Sequence, residues 1–440
     1  MARFLPVLLF MLALLFHAQP VRCEEYLNMA EAVKTGLERN QDIEAAQIRI
    51  KEADAGKKSA LGDFGPSMNV FYSYTRLDEA PTGFDSQTFQ STEGSKNQWT
   101  ANLNISQPLF TGFRLLNSYQ RSKLVLDVAR HELRQDRINL ISTIQTNFLE
   151  LVQAREIVES AQSSLERLEA QLRVSQSFYD VGLRPKLDVL QAEVDVAQAR
   201  LDLVAARNAV QVQKARLNSL LYLPVEADVR YMGELEYIPF ELTFEESLAL
   251  ALENRPALNI AQKTVAVAVE DQQVVSSAFY PQVEGNFDYF RYGDDPSVSG
   301  SELQEEDEWR LSAELQWNIF DSFSDHYAHK QAGMVVNRLE AEYRTLEQEV
   351  AFEVKANYLN VLESRERIQV ARKGLTEARE GYRMALARYK SQVGTSTDVL
   401  DAQARLSRSE TAFIEALADY QQVLAQLYAS MGLEKIDFKS

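Results

Sequence analysis

The sequence has almost no cysteine. Among 440 residues the single one is Cys23, at the end of a predicted secretory leader, residues 1–23, whose apolar core covers 5–16. That core is too short to span a membrane as a helix. A bacterial lipoprotein would carry its lipid on such a cysteine but needs a small residue before it, and Arg22 stands there. Cleavage after Cys23 is therefore favoured over lipidation, and the mature chain would have no disulfide.

The chain also lacks long apolar runs and an excess of basic residues. After the leader nothing approaches eighteen consecutive apolar residues, so no transmembrane helix is predicted. The formal net charge of −18 argues against nucleic acid, because a phosphate-binding surface needs clustered Lys and Arg. No glycine loop that could cradle a phosphate precedes a helix, and no nucleophile motif is present. The sequence predicts neither an enzyme nor a cofactor.

Histidine is scarce, with four residues in the chain. His326 and His329 are three residues apart and lie near Asp321 and Asp325. A metal site built on them would need a third ligand and a function that requires the metal. A hydrated helix end is the favoured interpretation, so no metal site is predicted.

Proline is absent from two long segments with a helical pattern, roughly 112–180 and 322–391. At 1.5 Å per residue, each would form a rod of ~105 Å. Each carries a heptad in which larger and smaller residues alternate: Val158, Leu165, Leu172 and Tyr179 with Ala161, Leu168 and Ser175, then Ile368, Leu375, Tyr382 and Tyr389 with Ala371, Ala378 and Ala385. This pattern is typical of knobs-into-holes packing. Taken alone, it favours an ordinary antiparallel coiled coil over a channel wall.

What the chain does have is an internal duplication. The segment that begins at Asp188 recurs at Asp398, 210 positions later, and Trp99 matches Trp309 at the same offset. A second offset, 215, places Pro66 on Pro281. A repeat of roughly 200 residues is far longer than a solenoid unit. We therefore predict two structural repeats, 24–240 and 241–440.

Each repeat has the same parts in the same order. The first has a helix over 27–64, a β-hairpin over 67–110, the long helix, a returning helix over 188–222 and an equatorial linker over 223–242. The second has a helix over 243–279, a β-hairpin over 282–320, the long helix and a returning helix over 397–432. Gly182 and Gly394 are predicted to end the long helices, and Asp188 or Thr397 to cap the returning ones.

The hairpins carry the alternation of half-buried strands, and all three tryptophans lie in or beside them. The predicted membrane-interface aromatic residues are Tyr72, Tyr74, Trp99, Tyr289, Trp309 and Trp317. Strands of about ten residues with aromatic ends are typical of outer-membrane barrels. Four strands cannot close a barrel alone, and in lipid only closed barrels and helices satisfy the backbone.

Closure therefore predicts a homotrimer. Three copies give a twelve-stranded barrel, whereas two would give about eight strands, too narrow to conduct much. The predicted fold is an α+β membrane protein: a trimeric 12-stranded β-barrel, with four strands per chain, continued by a long α-helical coiled-coil periplasmic tunnel.

Three motifs resemble the TolC family of outer-membrane efflux proteins over about 27–433. They are Val181-Gly182-Leu183 before Asp188-Val189, Val393-Gly394-Thr395 before Asp398-Val399-Leu400-Asp401, and Trp317-Asn318-Ile319-Phe320-Asp321. The resemblance implies a trimeric channel in the cell outer membrane with a long periplasmic domain. It also implies partners: a periplasmic adaptor (membrane fusion) protein, an inner-membrane pump of RND, ABC or MFS type, and outer-membrane lipid. The channel would passively conduct solutes in efflux, or polypeptides in type I secretion.

The resemblance further implies a periplasmic aperture lined by Asp398 and Asp401. Six such carboxylates around a narrow pore would bind cations and disfavour one another's ionisation. Asp398 alternatively stabilises a helix N-terminus, and both roles can hold. In the first repeat, Asp188 occupies the position of Asp398, but Gln191 occupies the position of Asp401. The ring of carboxylates would therefore come from the second repeat only.

The implied adaptor-docking tips are Val181, Gly182, Leu183, Arg184, Val393, Gly394 and Thr395. Arg184 could bond an acid on a neighbouring coil, or be a solvated charge. Three residues separate Gly394 from Asp398, against five between Gly182 and Asp188, and no Arg follows Gly394. An alternative function, a periplasmic coiled-coil adaptor or scaffold without a pore, explains the rods and tips but not the two aromatic hairpins.

Overall fold

The structure is a computed structural model that describes residues 26–85, 90–301, 303 and 305–436. The predicted leader, including Cys23, lies outside the described residues. The chain divides into two compact units. Of the described residues, the helical unit contains 26–44, 136–255 and 350–436, and the sheet unit contains those within 45–135 and 256–349.

The helices follow the predicted order of parts. Their bounds are α1 Met29–Arg39, α2 Gln41–Gly62, α3 Arg114–Asp180, α4 Lys186–Leu220, α5 Phe244–Asn254, α6 Pro256–Ser276 with a 3-10 turn at Ser277–Phe279, α7 Ser324–Lys390 and α8 Ser396–Ser430. α3 and α7 have 67 residues each, or about 100 Å at 1.5 Å per residue. α4 and α8 have 35 residues each. In the described part of the chain, no helix combines the length and apolar character needed to cross a bilayer.

The helix predicted over 27–64 is wrong as a single element, because Asn40 divides it. Asn40 ends α1 with an extended backbone. Its side-chain oxygen accepts hydrogen bonds from the backbone N–H groups of Asp42 and Ile43, at 2.8 and 3.2 Å. Asn is a preferred N-cap for this reason, so one residue ends α1 and starts α2.

The helix predicted over 243–279 is likewise broken, at Arg255. The next residue, Pro256, has no N–H and disfavours a helical residue before it. Pro256 instead occupies the first position of α6, where its fixed φ suits the helix. α5 begins with a reciprocal capping box between Thr243 and Glu246.

The strands are β1 Tyr26–Leu27, β2 Ser67–Arg76, β3 Thr82–Asp85, β4 Gln90–Glu93, β5 Asn97–Thr111, β6 Arg230–Tyr231, β7 Gln282–Gly293 and β8 Asp307–Gln316. The four long strands form one antiparallel sheet in the order β2-β5-β7-β8. The two predicted hairpins are therefore joined through β5 and β7. Among the described strands, β2 and β8 are the edges of this sheet, which is open.

Two short sheets were not expected. The stretch between β2 and β5, inside the hairpin predicted over 67–110, contains the antiparallel pair β3–β4. In the helical unit, β1 pairs in parallel with β6 from the predicted linker. The first helix consequently starts at Met29 rather than 27, and Asn28 caps it through a capping box with Glu31.

The long sheet has two faces of opposite chemistry, because neighbouring residues in register share a face. The apolar face carries Met68, Val70, Tyr72, Tyr74, Trp99, Ala101, Leu103, Ile105, Val283, Gly285, Phe287, Tyr289, Trp309, Leu311, Ala313 and Leu315. Its polar members lie toward the ends of the strands and are Arg76, Asn97, Gln107, Arg291 and Asp307. The polar face carries Ser67, Asn69, Phe71, Ser73, Thr75, Gln98, Thr100, Asn102, Asn104, Ser106, Glu284, Asn286, Asp288, Phe290, Tyr292, Glu308, Arg310, Ser312, Glu314 and Gln316. Many side chains of the apolar face are more than half exposed in one chain, such as Val70, Trp309 and Leu311.

Two apolar clusters of the helical unit lie entirely within the described residues. One joins α1, α3, α4 and the β1–β6 pair around Phe148 and Leu217. The other lies between α3 and α4 and contains Leu165, Leu168, Val196, Ala199 and Leu203. We call this second cluster the apolar seam. It uses the predicted heptad of the first long helix, so α3 and α4 form a coiled coil.

Candidate functional site

The first tip is the turn between α3 and α4. Gly182 has a left-handed backbone, with φ of 75°, and the N–H of Leu183 bonds to the carbonyl of Phe178 at 2.8 Å. This is the glycine helix stop that the sequence predicted. Val181 and Leu183, on either side, are exposed.

The second tip, between α7 and α8, ends differently from the prediction. Gln392, not Gly394, takes the left-handed conformation, with φ of 62°. The N–H of Val393 then bonds to the carbonyl of Arg388 at 3.0 Å and completes the stop. Gly394 is buried and its N–H also reaches Arg388, at 3.1 Å. Gly394 therefore permits close packing after the turn and is not the stop itself.

The cap of α8 is Thr395, so the predicted cap at Thr397 is wrong. The Thr395 hydroxyl accepts from the N–H of Asp398 at 3.1 Å, and the Asp398 carboxylate accepts from the N–H of Thr395 at 2.9 Å. These bonds, together with the charge of Arg388, hold the pKa of Asp398 below its usual value. Asp398 thus has the helix-capping role, while its exposed carboxylate is still available to other groups.

The predicted cap of α4 at Asp188 is also wrong. α4 begins after Pro185, whose side chain makes no cap hydrogen bond. Asp188 lies half-buried in the first turn, and its N–H donates to the Pro185 carbonyl at 3.1 Å. The proline already fixes the extended backbone that starts the helix.

Arg184 links the two tips, in neither of the ways predicted. Its Nη2 donates to the carbonyl oxygen of Gly394 at 2.5 Å, and its guanidinium lies 5.4 Å from the centre of the Tyr389 ring. Tyr389 is fully buried. A backbone carbonyl and an aromatic face therefore replace the acid that was expected to bind Arg184.

Tyr389 contacts α3 directly. Its hydroxyl lies 3.1 Å from that of Ser175, which is also fully buried, and its ring lies 5.5 Å from that of Phe178. The hydroxyl pair is shielded from water on both sides. It joins the end of α7 to the end of α3.

Further along α3, a row of polar side chains faces α8. Arg167 donates from Nε to Gln403 at 3.0 Å and from Nη2 to Glu410 at 2.7 Å. Ser164 bonds both Gln403 and Ser407, at 3.1 Å each. We call this contact, with the Ser175–Tyr389 pair, the polar seam; its α3 members are Ser160, Ser164, Arg167, Gln171 and Ser175. α3 therefore has an apolar seam with α4 and a polar seam with α7 and α8.

Asp398 and Asp401 line one open groove of about 640 Å³ beside α7 and α8. Arg405 and Arg408 lie one to two turns further along α8 and line it too. Within the described residues, the groove lining does not include Asp188. Of the three predicted aperture aspartates, the structure thus brings two together.

A further aspartate, Asp195, was missed by the sequence reasoning. It is half-buried on α4, and burial raises its pKa, with a further contribution from the charge of Asp401. The two residues flank an apolar contact, because Leu400 packs against the cluster that contains Val196. Asp195 follows Asp188 by seven residues, one heptad, so its position on the same helix face was a usable signal.

In the sheet unit, three predicted aromatic residues form a cluster. The ring centres of Tyr72 and Tyr74 lie 5.6 and 4.5 Å from that of Trp99. Tyr289 is directly opposite Trp309 in the β7–β8 register. Trp317 follows the last residue of β8, and its ring N–H donates to the Phe279 carbonyl at 3.2 Å.

α4 carries a second heptad that the sequence reasoning also missed. The inner stripe, which is buried, is Val189, Ala192, Val196, Ala199, Leu203 and Ala206. The outer stripe, which is exposed, is Leu187, Leu190, Val194, Ala197, Leu201 and Val204. The stripes are offset by two residues, which at 3.5 residues per turn places them about 154° apart around the helix.

Comparison with known proteins agrees with these features. A family model described as "Outer membrane efflux protein" matches residues 32–221 and 248–433. The outer membrane protein TolC of Vibrio cholerae is 24% identical over 429 residues, covering 92% of this chain and 90% of that protein. The outer membrane efflux protein BepC of Brucella suis is 19% identical over 399 residues, covering 88% and 81%.

Solved structures share the fold. A membrane protein from Pseudomonas aeruginosa superposes with a TM-score of 0.80 at 20% identity, covering 92% of this chain and 90% of that one. The outer membrane protein VceC from Vibrio cholerae gives a TM-score of 0.78 at 17% identity, covering 92% and 96%. The outer-membrane channel OprN gives a TM-score of 0.78 at 19% identity, covering 92% and 89%.

Proposed function

The chain belongs to the outer membrane efflux protein family, and from that premise we propose that three copies form a passive exit duct. Location in the outer membrane, predicted from the sequence, is confirmed by this membership. The fold is that of TolC-like channels. To this fold the proposal adds a trimer, a closed barrel, an aperture, an adaptor and a pump.

The outer stripe of α4 carries the proposal. The inner stripe is covered by α3, so the exposed outer stripe needs a second helix to cover it. If each helix contacts its two neighbours through stripes about 154° apart, the layer of helices bends by about 26° at each helix, the difference from a straight 180°. A full circle then takes roughly fourteen helices. Three chains with four long helices each would give twelve, which is close to that value. The occupant of the outer stripe is therefore a neighbouring copy of this chain.

The sheet supports the same stoichiometry. Its two edges, β2 and β8, each present unpaired backbone groups that another strand must satisfy. Three sheets joined β8 to β2 would make a twelve-stranded barrel with the apolar face toward lipid and the polar face inside. The aromatic cluster at Trp99 and the indole of Trp317 near the other end would lie at the two interfaces with water.

The aperture would lie where the helices end. We assign Asp398 and Asp401 to its lining, with Asp195 behind Asp401, and expect multivalent cations to bind there. Arg184 and Tyr389 join the two tips, and we assign this arrangement to the closed state of the duct. The duct would open by separating the α3–α4 coil from α7 and α8 along the polar seam, because hydrogen bonds exposed there can be replaced by bonds to water.

The exposed tip residues Val181, Leu183 and Val393 would bind a periplasmic adaptor, which connects the duct to an inner-membrane pump of RND, ABC or MFS type. Relatives are named for different cargoes, including toluene and pyoverdine. A duct whose pore is lined by a mainly polar wall would pass either small solutes or polypeptides. Drug susceptibility and the secreted protein profile of a deletion strain distinguish efflux from type I secretion.

The aperture is tested in planar lipid bilayers. Asp398→Ala combined with Asp401→Ala should raise single-channel conductance and abolish block by a trivalent cation. Glu193→Ala, which removes an exposed carboxylate on α4, is the matched control and should leave both unchanged. Wild-type conductance and block in the double variant would remove these residues from the pore.

The trimer is tested through the outer stripe. Val194→Asp with Leu201→Asp places charges in the proposed contact between copies and should yield monomers on size-exclusion chromatography in detergent. Glu193→Asp with Arg200→Lys keeps the charge of neighbouring exposed positions and should remain trimeric. A stable trimer of the Val194 and Leu201 variant would show that this stripe is not the contact between copies.

A further inference from the structure

Three aromatic side chains lie on the polar face of the sheet. Phe71 belongs to β2, and Phe290 and Tyr292 belong to β7. Apart from Pro108, which pairs with Glu284, the other residues of that face are polar or charged. Aromatic side chains here do not fill a core: Phe71 is 59% exposed, and Phe290 and Tyr292 are half-buried.

The three side chains are arranged as a platform. The rings of Phe290 and Tyr292 are nearly parallel, with an interplanar angle of 6° and centres 5.9 Å apart. Phe71 and Phe290 share one row of the sheet, separated by the small side chain of Asn102. Phe71 and Phe290 are therefore two strand spacings apart, about 10 Å. We call this set, Phe71, Phe290 and Tyr292, the aromatic platform.

The surroundings of the platform favour positive charge. Arg310 lies over the Phe290 ring, with Cζ 5.7 Å from its centre, so the ring already accepts a cation. Glu308 accepts hydrogen bonds from Arg310 at 3.1 Å and from the Tyr292 hydroxyl at 3.4 Å. The charged residues of the polar face are four acids and one base: Glu284, Asp288, Glu308, Glu314 and Arg310.

We propose that the aromatic platform is a binding site for aromatic organic cations on the pore-facing side of the barrel wall. The inference rests on the proposed function, since closure of the barrel turns the polar face into the pore lining. An aromatic cation would stack on the rings and take the place that Arg310 holds over Phe290 and beside Glu308, so that its charge meets that ring face and that carboxylate. Such a site holds a solute only weakly, which passage through a duct requires.

The test uses planar bilayers and two probes of equal charge. Benzyltrimethylammonium carries an aromatic ring and tetraethylammonium does not. Both are added on the side of the β3–β4 hairpin, in the Asp398→Ala and Asp401→Ala background so that the aperture carboxylates do not contribute. The half-blocking concentration of the aromatic cation should be about tenfold lower, the order expected for stacking on one or two rings.

β7 supplies a matched pair of variants. Phe290→Leu with Tyr292→Leu should reduce the tenfold preference to less than about twofold. Phe287→Leu with Tyr289→Leu changes the same residue types on the apolar face of the same strand and should keep the preference. Loss of preference in both variants would show that it does not come from the platform.

The outcomes separate the two proposals. Equal block by the two cations in the parent channel would overturn the binding site and leave the duct intact, without depending on whether any variant folds. A purified protein that inserts but carries no current would overturn the duct, and the binding site with it.

Discussion

Helix α3 makes two contacts in the helical unit that differ in chemistry. Toward α4 it presents Leu165 and Leu168 to an apolar seam. Toward α7 and α8 it presents Ser164, Arg167 and Ser175 to a polar seam. Both contacts use the same helix, α3, with the same backbone geometry. The side chains alone make one contact apolar and the other polar.

The difference identifies which contact can separate. Exposing an apolar surface costs about 25 cal/mol per Å², whereas a hydrogen bond lost to water costs only about 1 kcal/mol net. The α3–α4 coil should therefore move as one body, and α7 and α8 should part from it along the polar seam, exposing, of the apolar contacts described above, only those of Leu400 and of Tyr389 with Phe178. Four predictions follow from this contrast, in order of the expected effect.

The largest effect is expected in the apolar seam. Leu165→Ala with Leu168→Ala removes two side chains that are over nine-tenths buried and should destabilise the protein by about 2 kcal/mol or more for each. Thermal unfolding followed by circular dichroism in detergent measures the loss. Glu166→Ala, at the exposed position between them, should change stability by less than about 0.5 kcal/mol. Equal stability of the two variants would contradict the apolar seam.

The next effect concerns the Arg167–Glu410 pair in the polar seam. The two side chains are only 23% and 13% exposed, so Glu410→Ala leaves a guanidinium without its carboxylate and should cost about 1–3 kcal/mol. Arg167→Met with Glu410→Leu should recover most of that stability, because an apolar pair of similar size can replace a buried ion pair. A double-mutant cycle with no coupling energy would mean that the pair is not formed.

A smaller effect is expected at the tip. Tyr389→Phe removes the hydroxyl that faces Ser175 and should cost the closed state about 1 kcal/mol, equivalent to a roughly fivefold higher open probability in single-channel recordings. Tyr179→Phe is the control, since Tyr179 is exposed on the first tip. A Tyr389→Phe channel that opens no more often than the control would exclude the hydroxyl pair from the gate.

The smallest effect is a pH dependence of opposite sign at two aspartates. Hydrogen bonds to Thr395 lower the pKa of Asp398, so its contribution to stability is present above its ordinary pKa and is lost as the pH falls through the lower folded value. Burial raises the pKa of Asp195, so its ionisation destabilises the fold as the pH rises through the raised value.

Two single variants test this contrast. Asp398→Asn should be less stable than the parent at neutral pH, with the difference vanishing in acid. Asp195→Asn should be more stable than the parent at neutral pH, with its difference also vanishing in acid. Melting temperatures measured across pH 3–7 check both signs. Differences of the same sign would contradict the assigned environments.

Sequence patterns predicted the long elements well for a physical reason. Heptads without proline fix a helix over many turns, so the ends of α3 and α7 lie within two residues of prediction. The breaks at Asn40 and Arg255 were missed although Pro256 and the capping asparagine were visible signals. The pairing of β5 with β7 could not be read locally, because it joins residues almost two hundred positions apart.

The tip shows the same division between local and distant causes. The cap of α8 is a local pattern, and the sequence analysis placed it at Thr397 instead of Thr395. The partner of Arg184 is the carbonyl of Gly394, and a backbone acceptor leaves no mark in the sequence. Asp195 was predictable from its heptad spacing to Asp188, whereas its proximity to Asp401 depends on how α4 packs against α8.

The open edges of the sheet determine how this protein can be made. A lone chain would carry the unsatisfied backbone groups of β2 and β8 into lipid, where each costs several kcal/mol. Bilayer insertion and subunit association should therefore occur in one step, and the yield of refolding into vesicles should rise steeply with protein concentration. Until then the apolar face and two free edges are exposed to aggregation, so a newly exported chain would depend on a periplasmic chaperone.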